Sequence, residues 1–234
     1  EVLAFLVLLS CAIFLVRRNV IKVKRLKGEE MKKWPTSDAN YILIAEILLM
    51  SAILIANAAD AKLMMMNAEG YTSVNLQSSD FWVSQMISGL LPDNESSLIM
   101  IERGCWWFHI VGILVFLNYL PYSKHLHIMF AFPNTFFSNL EKKGKFTNME
   151  SVTNEVKLMM DPNADPFAAP DPNAPPVELQ RFGAKDVTDL SWKSLLDAYS
   201  CTECGRCTDA CPANQTGKKL SPRKIMMDTR DRIH

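Results

Sequence analysis

Three long apolar stretches occupy the first half of the chain, and the second half has no counterpart to them. Residues 2–16 (VLAFLVLLSCAIFLV) are apolar from the first turn, with Ser10 the one polar side chain. Residues 39–59 carry a single carboxylate, Glu46, and reach the roughly 20 residues that an α-helix needs to cross a bilayer. Residues 98–120 form the third stretch, with Glu102 and Arg103 near its start and Pro121 closing it. The pattern predicts three transmembrane helices. The first stretch lacks the basic leader and small-residue cleavage site of a signal peptide, and Arg17 and Arg18 follow it directly. It reads as the tail of a transmembrane helix that starts before Glu1, in a chain that is part of a longer one.

The remainder is polar, charged and proline-bearing. Residues 130–137 form an aromatic segment broken by Pro133, which suits the membrane interface. Apolar positions at Leu140, Phe146, Met149, Val152, Val156 and Met159 predict a short surface helix or two. Residues 161–176 (DPNADPFAAPDPNAPP) read as a semi-rigid spacer. Leu190, Leu195, Leu196 and Tyr199 have helical spacing, and Ser221 with Pro222 is a cap followed by a first-turn proline. That last helix, over 222–232, is expected to carry Arg223, Lys224, Arg230 and Arg232 on a solvated face, where a negative redox partner could dock. The expected architecture is mainly α. A transmembrane helical bundle spans 1–130, an interfacial segment 131–160, a proline-rich linker 161–186 and a small helical module 187–234.

Charge adds orientation. The net charge is formally zero, which gives no reason to expect nucleic acid. The loop between the first two stretches carries Lys22, Lys24, Arg25, Lys27, Lys32 and Lys33 beyond Arg17 and Arg18, whereas residues 61–97 carry one lysine, Lys62, against Glu69, Asp80, Asp93 and Glu95. The positive-inside rule places the first loop in the cytoplasm and the second outside. Three crossings then return the C-terminal half to the cytoplasm, so the protein is expected to be multi-pass in the inner membrane.

The chemistry lies in Cys201-Thr-Glu-Cys204-Gly-Arg-Cys207-Thr-Asp-Ala-Cys211-Pro212. This C-x2-C-x2-C-x3-C-P spacing is the bacterial ferredoxin run for a [4Fe–4S] cluster, whose fourth cysteine commonly ligates the other cluster of a pair. Zinc sites usually split into two separated Cys-x-x-Cys pairs, and a reducing compartment does not favour disulfides. Cys11 and Cys105 are isolated and read as small hydrophobes. His109 lies about 16 Å into the third stretch, near the bilayer centre. His109 with His127 or His125 makes a candidate set for haem b, as paired histidines in helical bundles do. An unbroken helix would put His127 about 27 Å from His109, a distance that a kink at Pro121 would shorten. His125 and His127 could equally be interfacial residues beside anionic lipid. Glu46 is a candidate for quinone-linked proton transfer or a neutral structural acid.

The runs RRNVIKVKRLKGEEMKKWP, IERGCWWFHIVGILVFLNYLPYSKHLHI, LMMDPNADPFAAP and YSCTECGRCTDACPANQTGKKLSPRKIMMDTRDR resemble membrane-anchored Fe–S oxidoreductases related to heterodisulfide reductase. The membrane part of that family is similar to the gamma, cytochrome b, subunit of respiratory nitrate reductase. The resemblance implies a cytochrome b-like transmembrane bundle followed by an α-helical ferredoxin module with two [4Fe–4S] clusters. It implies that Cys201, Cys204 and Cys207 serve one cluster and Cys211 the other. The expected activity is electron transfer between the quinone pool, through haem b, and a soluble flavoprotein or thiol/disulfide partner. A conduit subunit of a larger membrane complex and a cluster-based redox sensor are the alternatives.

Overall fold

The computed structural model describes residues 1–71, 81–142, 144–145, 148–162 and 183–233. Asp80, Phe146 and most of the proline-rich linker read from the sequence lie outside them. Every regular element among the described residues is helical. The chain divides into two compact units, Glu1–His127 with Thr202–Lys224, and Ile128–Cys201 with Ile225–His234.

In the first unit, α1 (Val2–Asn19), α2 (Trp34–Met65) and α4 (Glu95–Tyr119) are long and apolar enough to cross a membrane, and a short α3 (Trp82–Ser88) precedes α4. The helices α1 and α2 overrun their apolar stretches, and α4 starts ahead of its own. Pro35 sits in the first turn of α2, where its missing N–H costs nothing. The C-terminus of α2 closes in a Schellman motif: Asn67 is left-handed (φ 52°), its N–H donates to Met64 O (3.1 Å), and Ala68 N–H donates to Leu63 O (3.2 Å). Leu63 and Ala68 join Ala59 and Leu98 in a buried cluster, so the cap also packs α2 against α4. Asn94 caps α4 by accepting from Ser96 N–H (3.1 Å), which starts that helix before the apolar run does.

The helix α2 packs against α1 and α4. Of the apolar windows, 39% of α2 is buried but only 6% of α1 and of α4. Helices that expose apolar side chains on most of their surface are shaped for lipid. At Gly112 a Cβ would come within 2.6 Å of Leu49 Cδ2, so a glycine permits the close approach of α4 to α2. The third helix stops at Pro121 as the sequence predicts: α4 ends at Tyr119 and Pro121 stands in the turn that follows, so no unbroken helix joins His109 to His127. Two 3-10 turns, Leu120–Tyr122 and Lys124–Leu126, lead into α5 (His127–Phe136).

In the second unit, α6 (Glu150–Met160) realises the expected surface helix, and α7 (Trp192–Tyr199) leads to Cys201. Trp192 packs edge-on against Phe137 (5.1 Å between centroids), and Tyr199 against Phe130 (5.6 Å). Lys193 reaches Asn134 Oδ1 (2.7 Å) and Asp197 (2.5 Å).

Candidate functional site

Of the candidate residues in the first unit, Cys204, His125 and His127 gather where α1 ends, α2 begins and α4 gives way to turns, while Glu46 and His109 lie within α2 and α4. After α7, the chain runs through Cys204 into two short helices, α8 (Arg206–Asp209) and α9 (Pro212–Gln215), and then into α10 (Pro222–Ile233). Cys207 lies exposed on α8, and Cys211 directly precedes the proline that opens α9. Cys201 belongs to the second unit, while the other three cysteines belong to the first. No disulfide joins any of the four.

Two residues around Cys204 adopt left-handed backbone, Glu203 at φ 55° and Gly205 at φ 75°. A side chain at Gly205 would meet the Arg223 guanidinium and Arg25 O, the latter at 2.8 Å, so only glycine fits this turn. Arg223 is 2% exposed and holds the turn in place. Its Nε and Nη2 donate to Glu30 Oε1 (3.1 and 2.8 Å), and its Nη1 donates to Arg25 O (2.6 Å). Ser221 caps α10 by accepting from Lys224 N–H (3.3 Å) and also donates to Glu30 (2.8 Å). Arg223 is therefore not on the solvated face expected from the sequence, because the basic loop it docks on presents a partly buried acid, Glu30.

On the other side of the turn, Lys124 Nζ donates to Glu203 and to Pro35 O (2.6 Å). Asp38, 2% exposed, accepts from Tyr119 Oη (2.5 Å) and Lys124 N–H (3.0 Å). Burial lowers the Lys124 pKa, and the charges of Glu203 and Asp38 only partly restore it. Two ion pairs thus tie the cysteine turn to the ends of the spans: Arg223–Glu30 and Lys124–Glu203.

Cys204 has the environment of a thiolate ligand. Burial raises its pKa, but the Arg206 N–H, the Thr202 hydroxyl and the positive charges of Arg206 and Arg25 outweigh that and leave it below the usual thiol range. Among the described residues no three His, Cys, Asp or Glu side chains converge around a point for a single metal ion. A cubane asks for a different arrangement, with each thiolate on its own iron. The glycine-dependent turn and the polarised Cys204, both in the first unit, fit such a cluster.

His109 Nδ1 lies 2.9 Å from Leu49 O. A carbonyl only accepts, so Nδ1 carries the proton and Nε2 keeps a free lone pair. His127 repeats the arrangement at 2.8 Å from Lys124 O. The His125 ring is edge-on to Phe116 (5.5 Å) and to His127 (5.7 Å). Burial pulls its pKa down, His127 adds to that and Asp38 opposes it. Both His109 and His127 fit the role of a haem axial ligand. Glu46 is half-buried on α2, near enough to Cys11 of α1 to act on it electrostatically.

A cavity of about 440 Å³ opens at this end of the spans, with His125, His127, Thr202 and Cys204 in its wall. The cysteine turn therefore lies on the same membrane face as the basic loop. Asp38, Glu30, Lys124, Glu203 and Arg223 were not singled out from the sequence as site residues. Lys124 stands inside the histidine-bearing run YSKHLH, which was a usable signal. The Glu30–Arg223 pair spans 193 positions and left none.

The arrangement defines a membrane-embedded helical protein with a cysteine turn docked on the ends of its spans. Residues 192–213 match the 4Fe-4S binding domain family, so an iron–sulfur binding domain is present. The chain is 30% identical over 233 residues to the "Probable iron-sulfur-binding oxidoreductase FadF" of Bacillus subtilis, covering 100% of this chain and 28% of that protein. It is 27% identical over 225 residues to the "EtfAB:quinone oxidoreductase" of Syntrophomonas wolfei, covering 95% of this chain and 27% of that protein. Over 47 residues it is 39% identical to a "Probable membrane-anchored ferredoxin" of Chromohalobacter salexigens, covering 20% of this chain and 7% of that protein. The chain spans little more than a quarter of the first two relatives. No solved structure matches it.

Proposed function

We propose that this chain is the membrane-anchored, cluster-bearing part of an oxidoreductase that exchanges electrons between the quinone pool and cytoplasmic [4Fe–4S] clusters. The observation that carries the reading is the cysteine turn itself, locked onto the span ends beside His125 and His127. The printed name of the Syntrophomonas relative adds a quinone. Cys201, Cys204 and Cys207 would hold one cluster, with Cys211 serving a second whose other ligands come from beyond this chain. His109, with His127 or His125, would hold haem b together with ligands from other helices. Haem and clusters supply one-electron transfer. The chain's own residues orient the imidazoles through Leu49 O and Lys124 O, fix the cysteine turn through Arg223 and Lys124, and polarise Cys204.

Glu46 would move a proton for quinone chemistry within the spans. The basic loop, on the same face as Cys204, supports an inner-membrane location with the clusters on the cytoplasmic side. The soluble partner would be a flavoprotein or a thiol/disulfide protein, as in the heterodisulfide reductase-related family. The local similarity to a membrane-anchored ferredoxin favours a second reading, a conduit subunit that wires another enzyme to the bilayer. A reduced-minus-oxidised difference spectrum of the full-length protein, with quinol as reductant, tests the proposal. A b-type α band with broad iron–sulfur bleaching is expected, and bleaching with no haem band removes the histidine assignments.

A further inference from the structure

The cavity at the ends of α1 and α2 has two chemically distinct walls. Phe14, Ile42 and Leu43 of the spans make an apolar wall, and Phe14 is 48% exposed, so this side opens toward lipid. Arg17, Arg18, Arg25 and Lys124 make the other, with His125, His127, Thr202 and Cys204 completing it, and no carboxylate lines the space among the described residues. Lys124 is already occupied by Glu203 and Pro35 O. The three arginine side chains form no ion pair among the described residues, and Arg17 lies only over the Phe14 ring at 6.0 Å. The Nε of Arg18 is buried with no hydrogen-bond partner among the described residues, a situation that native structures rarely tolerate. Asp38 and Glu203 act on Arg18 through space, but each is bound to other donors.

Guanidinium donors left over beside an apolar wall, at a membrane boundary, call for an anion with a hydrophobic tail. We propose that the cavity binds one anionic phospholipid, its phosphate on Arg17, Arg18 and Arg25 and an acyl chain along Phe14, Ile42 and Leu43. A quinone head offers neutral carbonyls and leaves the positive charge unmatched. Free phosphate leaves the apolar wall uncovered. A phospholipid answers both walls and arrives laterally from the bilayer. The lipid would sit beside Cys204 and help seat the cysteine turn on the membrane. The proposal goes beyond the electron-transfer reading and is independent of the cluster assignment, whereas a haem on the cavity face of His125 or His127 would compete for the same space.

The test is native mass spectrometry of the delipidated full-length protein, titrated with phosphatidylglycerol, phosphatidylcholine or inorganic phosphate. One phosphatidylglycerol should bind in preference to phosphatidylcholine and resist displacement by phosphate. Arg17→Gln/Arg18→Gln should weaken it about thirtyfold, at roughly fivefold per basic residue removed near anionic lipid. Leu43→Trp should expel the lipid by filling the apolar wall while leaving the arginines in place. Equal binding of the two lipids, displacement by phosphate, or an arginine-dependent adduct with the mass of a quinone or haem would overturn the proposal. The wild-type preference and the Leu43→Trp result decide the matter even if the double-arginine variant does not fold.

Discussion

Arg223 and Glu30, 193 positions apart, form an ion pair at 2.8 Å with side-chain exposures of 2% and 12%. Breaking one side of such a pair leaves an uncompensated buried charge, which costs about 3–5 kcal/mol. Arg223→Ala should therefore lower the unfolding temperature of the full-length protein and release the cysteine turn to limited proteolysis. Glu30→Gln keeps an acceptor for Arg223 and should cost less. Equal, negligible effects from both would remove the pair from the account.

The same pair sets a pH dependence. Burial pushes the Glu30 pKa up, but its own backbone N–H, Arg223 and Ser221 outweigh that and hold it below the ordinary carboxylate value. A depressed folded pKa gives stability that is present above the unfolded value, about 4.3, and lost as pH falls through the folded one. Acid below about pH 4 should loosen the turn in the wild type, and Glu30→Gln should flatten that part of the profile. Thermal unfolding across pH 3–6 reads it out.

Lys124 and Glu203 call for a double-mutant cycle. Lys124→Met removes the ammonium from Glu203, and Glu203→Leu removes the carboxylate from Lys124, each at about 3–5 kcal/mol. The double variant should recover most of the loss, since well-packed apolar replacements of buried pairs are often neutral. Additive losses would show that the two side chains are not coupled.

Much of this was legible in the sequence. The three spans follow from apolar length, because a helix alone in lipid must be apolar nearly all round, and the cysteine spacing declares a cluster turn by itself. The helices run past the apolar stretches because Pro35, Asn67 and Asn94 set their ends through capping, not through hydropathy. Arg223 was read as solvated because its partner, Glu30, sits in a loop whose overall charge is strongly basic. Lys124 and Asp38 could not be joined by spacing, since tertiary packing alone brings the turn after α4 to the start of α2.

Gly112 controls the approach that lets His109 reach Leu49 O, one helical turn away. Gly112→Ala should be tolerated by a shift of the Leu49 side chain. Gly112→Leu should overpack the α2–α4 contact at about 1–3 kcal/mol and lower haem content along with His109→Ala. Haem content per protein, from the pyridine haemochrome, checks both variants.

The cysteines should divide between clusters. Cys204→Ser should remove one [4Fe–4S] cluster, about four iron atoms per protein, and Cys211→Ser should affect a different cluster. Iron analysis with electron paramagnetic resonance of the reduced protein distinguishes them. Identical spectra from the two variants would assign all four cysteines to a single cluster.

The central claim is electron exchange between a quinone and the cluster held by Cys204. The direct measurement is stopped-flow mixing of the pre-reduced full-length protein, in nanodiscs, with a soluble quinone while the iron–sulfur absorbance is followed. The account predicts reoxidation of the clusters in the wild type and loss of that phase in Cys204→Ser. Clusters that stay reduced in the presence of excess quinone would contradict it.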